Sequence, residues 1–267
     1  MIQIIHISDT HIKGNDSDKT VSQLLTKIYN RHFNNAQGVY LAVTGDIVDS
    51  ALEFQYQKAQ KILAPFSHKL LLSLGNHDCG ILGNLYSPDS INYWKKYFQP
   101  FTINNVDYTT KNPVEILLEY KDTKVLTMGL NSCLLTYKNF DFACGMIGED
   151  QLDKVREVFN KSTNMDLPKL VYCHHRPFPL SFPENKVMEL QDANDLFEVV
   201  DETADVVMYG HSGGGLEHRT RAPKTNGVPL LDTQYLNAND FVDTGRYFQV
   251  MFSGSNPPLI YQRNIKE

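Results

Sequence analysis

Asp9 and His11, Asp46 and Asp49, Asn76 with His77 and Asp78, the pair His174–His175, and His211 are residue types that bind divalent metals or move protons. Each group follows a short apolar run: Ile2–Ile7, Val39–Val43, Leu70–Leu74, Leu170–Cys173 and Asp205–Tyr209. Carboxylates, imidazoles and a carboxamide oxygen make a mixed nitrogen and oxygen donor set. That set suits Mn, Fe, Zn, Co or Mg and not Cu(I) or an iron–sulfur cluster. There are more donors than one ion needs, whereas two ions sharing a carboxylate would use them all. Two ions about 3.5–4 Å apart can clamp the attacking and leaving oxygens of a phosphoryl transfer and lower the pKa of a water between them. Such chemistry needs no attacking Ser, Thr or Cys.

The elements that must position these residues are legible as periodicity. Apolar runs that end in polar or glycine-containing loops read as buried strands, and Val21, Leu24, Leu25 and Ile28 fit one helical face. Ala51–Leu63 reads as a helix with Phe54, Ile62 and Leu63 as core candidates. Asp150 reads as the cap of a helix that buries Leu152, Val155 and Phe159, and Ala193, Leu196, Phe197 and Val200 mark another. Ile116–Tyr120 and Lys124–Met128 flank the turn-like Lys121–Asp122 and read as a hairpin or as adjacent strands. Repeated strand–loop–helix units give an α/β chain with a sheet that is at least partly parallel. In open α/β sheets the reacting groups gather outside the carboxyl ends of the strands, which is where every group above falls.

The chain has 267 residues, 42% of them hydrophobic, enough for one sizeable core. Residues 1–267 read as a single domain with an insertion at 79–112, holding the only tryptophan, Trp94, and a divergent part from about residue 216. The insertion reads either as a lid over the site or as an aromatic cover for the core. A net charge of −6 offers no strong nucleic-acid footprint and no attraction to an anionic membrane, and no stretch has the length of a membrane span. Cys79, Cys133, Cys144 and Cys173 match neither a zinc ribbon nor a redox pair, and with no signal-peptide pattern the expected location is cytoplasmic.

Taken in order, Asp9-Thr10-His11, Gly45-Asp46-Ile47-Val48-Asp49, Gly75-Asn76-His77-Asp78, His174-His175 and Gly210-His211 resemble the calcineurin-like metallophosphoesterases, over roughly residues 1–215. The resemblance implies two facing mixed β-sheets flanked by helices, a four-layer αββα sandwich. It also implies two divalent ions (Mn, Fe, Zn or Co). Asp9 and His11 would hold the first, Asp46 would bridge, and Asn76, His174 and His211 would hold the second. His77 would act on the leaving oxygen and Asp78 would orient His77 by a hydrogen bond. The family pattern usually continues Gly-His-x-His, whereas this chain has Gly213 at the second histidine position. His218 is the next histidine, and it reaches that place only if residues 213–215 fold back.

The function expected on these grounds is metal-dependent hydrolysis of a small phosphate ester or nucleotide by a metal-bound hydroxide. The motif wording looks closest to bacterial cyclic-nucleotide phosphodiesterases. A phosphomonoesterase would draw Arg176 to the extra phosphate charge, although Arg176 also reads as a brace for its own loop. A nuclease would need a local basic groove, and a degenerate binding module is the non-catalytic rival.

Overall fold

In the parallel strands of the second sheet, successive side chains enter two different cores, which is why the sequence shows unbroken apolar runs there in place of alternation. Leu170, Tyr172, Val206 and Met208 face one cluster, and Val171, Cys173, Val207 and Tyr209 face the other. The computed structural model describes residues 1–267 apart from 84, 135–142, 180–187, 202, 213–214, 221–232, 240, 255–256 and 267.

Two sheets build the molecule. In the first, β1 (Ile2–Ile7), β2 (Val39–Thr44) and β3 (Leu70–Ser73) are parallel, and β12 (Arg246–Phe252) and β13 (Leu259–Asn264) continue it antiparallel beyond β1. Ile4 pairs with Val250 on one side of β1 and with Tyr40 on the other. In the second, β7 (Thr123–Gly129), β8 (Lys169–Tyr172), β9 (Val206–Tyr209) and β11 (Gln234–Ala238) are parallel. Strands β6 (Val114–Tyr120) and β10 (Leu216–Thr220) are its antiparallel edges. A small hairpin, β4 (Gly80–Ile81) with β5 (Leu85–Tyr86), stands apart from both.

The inner faces of the two sheets share one cluster, where Ile4 and Leu72 join Leu170, Met208 and Leu236. Helices α1 (Lys19–Ile28), α2 (Glu53–Leu63) and α3 (Pro88–Tyr97) pack on the first sheet's side. Helices α4 (Glu149–Phe159) and α5 (Ala193–Val200) cover the outer face of the second. This is the expected sandwich of two mixed sheets between helices. Among the described residues no helix is long and apolar enough to cross a membrane.

Several local expectations change. Phe54 is 52% exposed: the buried face of α2 carries Gln55, Tyr56, Ala59 and Leu63, which turns Phe54 outward. Asp150 does not cap α4; Gly148 holds that position, and the Asp192 carboxylate accepts the Ile147 and Gly148 amides at 2.9 and 2.7 Å. The segment 79–112 includes α3, whose Trp94 is fully buried against Phe98 and Tyr108, so much of the segment serves as core cover. The short runs after residue 216 supply strands to both sheets.

His6, on β1, is fully buried, with Nε2 2.9 Å from Thr44 Oγ1 and no partner for Nδ1. Burial pushes its imidazole down to about 3. The unfolded chain therefore binds a proton at His6 that the folded chain refuses, and stability falls as the pH drops below the ordinary histidine value. The cost at pH 5 is about 2 kcal/mol, from about 1.4 kcal/mol per pKa unit. Urea unfolding of metal-free protein at pH 7.5 and pH 5 should show this loss in the native chain and a smaller one in His6→Gln.

Candidate metal centre

The carboxyl ends of β1, β2 and β3 meet those of β8 and β9 at one rim, and the loops that follow interlock. The His11 and Ile12 amides donate to the Asp46 and Ile47 carbonyls at 3.0 and 2.9 Å. His174 Nδ1 lies 2.8 Å from the Thr44 carbonyl, and the His211 amide donates to Asp9 Oδ2 at 3.1 Å, so both second-sheet loops are tied to the first sheet.

Four of the candidate ligands present atoms to a common point. His174 Nε2 is 3.1 Å from Asn76 Oδ1, 3.1 Å from His211 Nδ1 and 3.4 Å from Asp46 Oδ1. Donor atoms bound to one tetrahedral ion at about 2.0–2.1 Å are roughly 3.3 Å apart, so this spacing is that of a ligand set. A carbonyl only accepts, so Nδ1 of His174 carries the proton given to Thr44. A neutral ring then turns a bare Nε2 toward oxygen and nitrogen lone pairs, a repulsive arrangement unless a cation lies among them. Burial disfavours the charged ring, but Asp46 outweighs it and raises the His174 pKa to about 9 without metal. A bound ion would displace that proton.

Asp9, His11 and Asp46 form one group with ligand atoms within 4.8 Å of one another, and Asp46, His174 and His211 form another. Asp46 belongs to both, with Oδ2 3.8 Å from His11 Nε2 and Oδ1 3.4 Å from His174 Nε2. The two groups fit two divalent ions sharing one carboxylate. Burial pushes the Asp9 carboxyl up to about 6, partly offset by His174. For Asp46 burial works the same way, but the neighbouring imidazoles, His174 foremost, hold it well below the usual range. Burial, then His174, lowers His211 to about 3 and keeps it neutral, as a ligand must be.

The backbone is strained where the groups converge. Asp9, His11, Asp46 and His211 have φ of 55, 41, 50 and 73°, the left-handed region that non-glycine residues avoid at a cost of roughly 1–2 kcal/mol each. Gly45, at φ +86°, has no room for a side chain, because a Cβ there would lie 2.4 Å from His174 Nδ1.

The structure places His77 at the edge of the centre, half-buried and edge-on to His11, with ring centroids 4.7 Å apart. Its amide donates to Asp46 Oδ1 at 2.9 Å and its Nδ1 lies 2.7 Å from the Asp49 carbonyl. Asp78 does not orient it. The turn after β3 sends Asp78 into the core, where its carboxylate accepts the Val48 and Gly75 amides at 2.9 and 3.0 Å and joins the second strand-end loop to the third. Burial, with Asp46 adding to it, raises the Asp78 carboxyl to about 7.

Ser132 is a supporting residue that sequence reasoning passed over. Its Oγ accepts the His174 and His175 amides at 3.3 and 3.1 Å, so its single proton goes to His175 Nδ1 at 2.8 Å. It stands in a loop after β7, spatially beside His174 but 42 residues away, so its partners could not be read from its neighbours in sequence. Arg176 braces its own loop: its guanidinium donates to Glu217 at 2.8 Å and to the Phe178 and Pro179 carbonyls. His218 lies on the edge strand β10, exposed and 2.7 Å from Gln234 Oε1, so it does not fold back. Gly213 lies outside the described residues.

Residues 2–214 match the calcineurin-like phosphoesterase family, and the chain belongs to that family. It is similar to a probable cyclic nucleotide phosphodiesterase of Vesicomyosocius okutanii, 25% identical over 240 residues that cover 88% of each chain. A Haemophilus influenzae 3',5'-cyclic adenosine monophosphate phosphodiesterase is 24% identical over 243 residues, 87% of this chain and 76% of that one. Among solved structures, a dimetal phosphatase from Danio rerio has a TM-score of 0.63 at 10% identity, with 97% of this chain and 98% of that chain covered. A purple acid phosphatase from yellow lupin has a TM-score of 0.65 at 12% identity; all of this chain is matched, spanning 52% of that one. The likeness in structure is one of fold.

A shared carboxylate gives a graded expectation for metal content. Native protein reconstituted with Mn and desalted should carry two ions per chain by mass spectrometry, and His11→Ala or Asn76→Ala about one. Asp46→Ala should carry fewer than one, and a full complement in Asp46→Ala would rule out the bridge.

Proposed function

We propose that this metal-dependent phosphoesterase is a phosphodiesterase acting on a small nucleotide-type diester. The observation that carries the reading is the paired donor groups with Asp46 in common and His77 beside them. On this reading Asp9, His11 and Asp46 hold one ion, and Asp46, Asn76, His174 and His211 hold the other. Bound there, the ions would supply positive charge for the phosphoryl oxygens and make water acidic enough to serve as nucleophile near neutral pH.

The chain's own residues do the rest. His77 gives its Nδ1 proton to the Asp49 carbonyl, which leaves Nε2 for the substrate. From Nε2 it can hand a proton to the leaving oxygen as the ester bond breaks. Asn76 donates Nδ2 to the Gly83 carbonyl at 3.4 Å, which turns Oδ1 inward. Ser132, through the His174 and His175 amides, fixes the loop that carries His174.

The preference for a diester rests on charge. A monoester dianion asks for more donors than a diester monoanion, and the guanidinium nearest in sequence to the site, Arg176, is committed to Glu217 and two carbonyls. The names of the similar cyclic nucleotide phosphodiesterases point the same way.

With millimolar Mn, kcat/KM for bis(p-nitrophenyl) phosphate should exceed that for p-nitrophenyl phosphate by about 10-fold or more. The reverse order would make the protein a phosphomonoesterase. Arg176→Ala should keep the order of substrates and lose about 1–2 kcal/mol of stability in urea, because the Phe178 and Pro179 carbonyls lose their donor and Glu217 keeps only its pairing with Arg219 and Tyr209. A selective loss of monoester turnover in that variant would instead place Arg176 on the substrate.

A further inference from the structure

A cleft of about 350 Å³ opens on the Asp9–His11 side of the metal centre. Its size is in the range of small-molecule sites. One wall is the loop between β1 and α1. There the buried Asp18 carboxylate accepts the Lys13 and Gly14 amides at 2.8 and 2.7 Å, so it shapes the loop and has little left for a ligand. The opposite wall is Asn239 with the short helix α6 (Phe241–Thr244), which presents Val242 and Asp243. That wall is anchored. Phe241 is fully buried, the Gly245 amide donates to its carbonyl at 2.7 Å, and Lys266 donates to the Asp243 carbonyl. It also lies beyond residue 214, outside the part of the chain that matches the family.

The lining defines a chemistry. Val21 and Val242 make an apolar floor, and the Asn239 amide and Asp243 carboxylate add groups that hydrogen-bond hydroxyls. A second phosphate would meet Asp243, and the Lys13 ammonium on the other wall stands 3.8 Å from Asp49. An anion already held at the metals would thus extend into a space suited to a neutral, hydroxylated body.

We propose that this cleft is the subsite for the organic group carried by the phosphorus, that it takes an uncharged hydroxylated group such as a nucleoside, and that Asp243 excludes substrates with a second phosphate. The proposal rests on the reading of the centre as a phosphodiesterase and adds the substrate's shape and charge to it. Specificity then resides in the segment beyond the family match, while hydrolysis resides in the matched segment.

The test uses Mn-loaded full-length protein and three chromogenic diesters. These are methyl p-nitrophenyl phosphate, thymidine p-nitrophenyl phosphate, and the thymidine ester with a second phosphate on its other sugar hydroxyl. Val242→Trp fills the cleft and should raise KM for the thymidine ester about 10-fold, with kcat and all constants for the methyl ester within about twofold. Asp243→Lys, an exposed change that leaves the core alone, should raise kcat/KM for the doubly phosphorylated ester about 10-fold relative to the singly phosphorylated one. Equal effects of Val242→Trp on thymidine and methyl esters, or an unchanged ratio in Asp243→Lys, would overturn the proposal. A native protein that cleaves none of the three overturns the phosphodiesterase reading. Calorimetric binding of thymidine monophosphate then decides the cleft by itself: weakening by Val242→Trp upholds it, and equal binding by native and variant protein refutes it.

Discussion

Asp9 and Asp46 are buried together where the two sheets meet, and the rest of the site answers to that placement. Two carboxylates removed from water cost several kcal/mol each unless cations lie beside them. Among the described residues the chain itself supplies imidazoles nearby, and one of them, His174, is drawn toward protonation by Asp46. Divalent ions are the economical solution, and the loops are built to admit them. Left-handed backbone at four candidate ligands and a glycine against the His174 ring bring donors from five strand ends to one place. Such strain persists only where surrounding structure holds it. Here the holding is done by the inter-sheet hydrogen bonds of His174 and His211 and by Asp78 on two loop amides.

Much of this was legible in the sequence because metal ligands at strand ends are a local signal. An apolar run followed by Asp-x-His or Gly-Asn-His-Asp declares both the strand and the donor. The metal groups appear where those motifs put them. Roles that depend on side-chain direction were not legible. Asp78 follows His77 by one residue, yet the turn points it backwards, and a main-chain carbonyl, at Asp49, does the work assigned to it. Phe54 misled because a helix with a sparse apolar pattern can present more than one face, and only packing decides which. The strands after residue 216 were obscured because they are interrupted by polar stretches, and Ser132 because nothing local marks a hydroxyl whose partners are 42 and 43 residues away.

Arg176 and Glu217 show how the two kinds of information meet. The arginine lies in the family-matched part and the glutamate just beyond it, on β10. A cation next to a phosphate site would favour dianions. Pairing it with a carboxylate from beyond residue 214 turns it into a strut. The part of the chain beyond residue 214 thus acts on the site by what it neutralises as well as by what it lines.

The pairing of β1 with β12 also bears on how this site comes into being. β1 carries Asp9 and His11 at its end, yet one of its edges is closed by β12, a strand made after all the loops that carry the candidate ligands. During synthesis β1 can pair with β2 on one side only, and its other row of amides and carbonyls stays open, as an edge able to join a neighbouring chain. Contacts so distant in sequence also form slowly. Until β12 is made the first sheet is half-built, and the rim at the end of β1 is complete only once the chain has folded back on that strand.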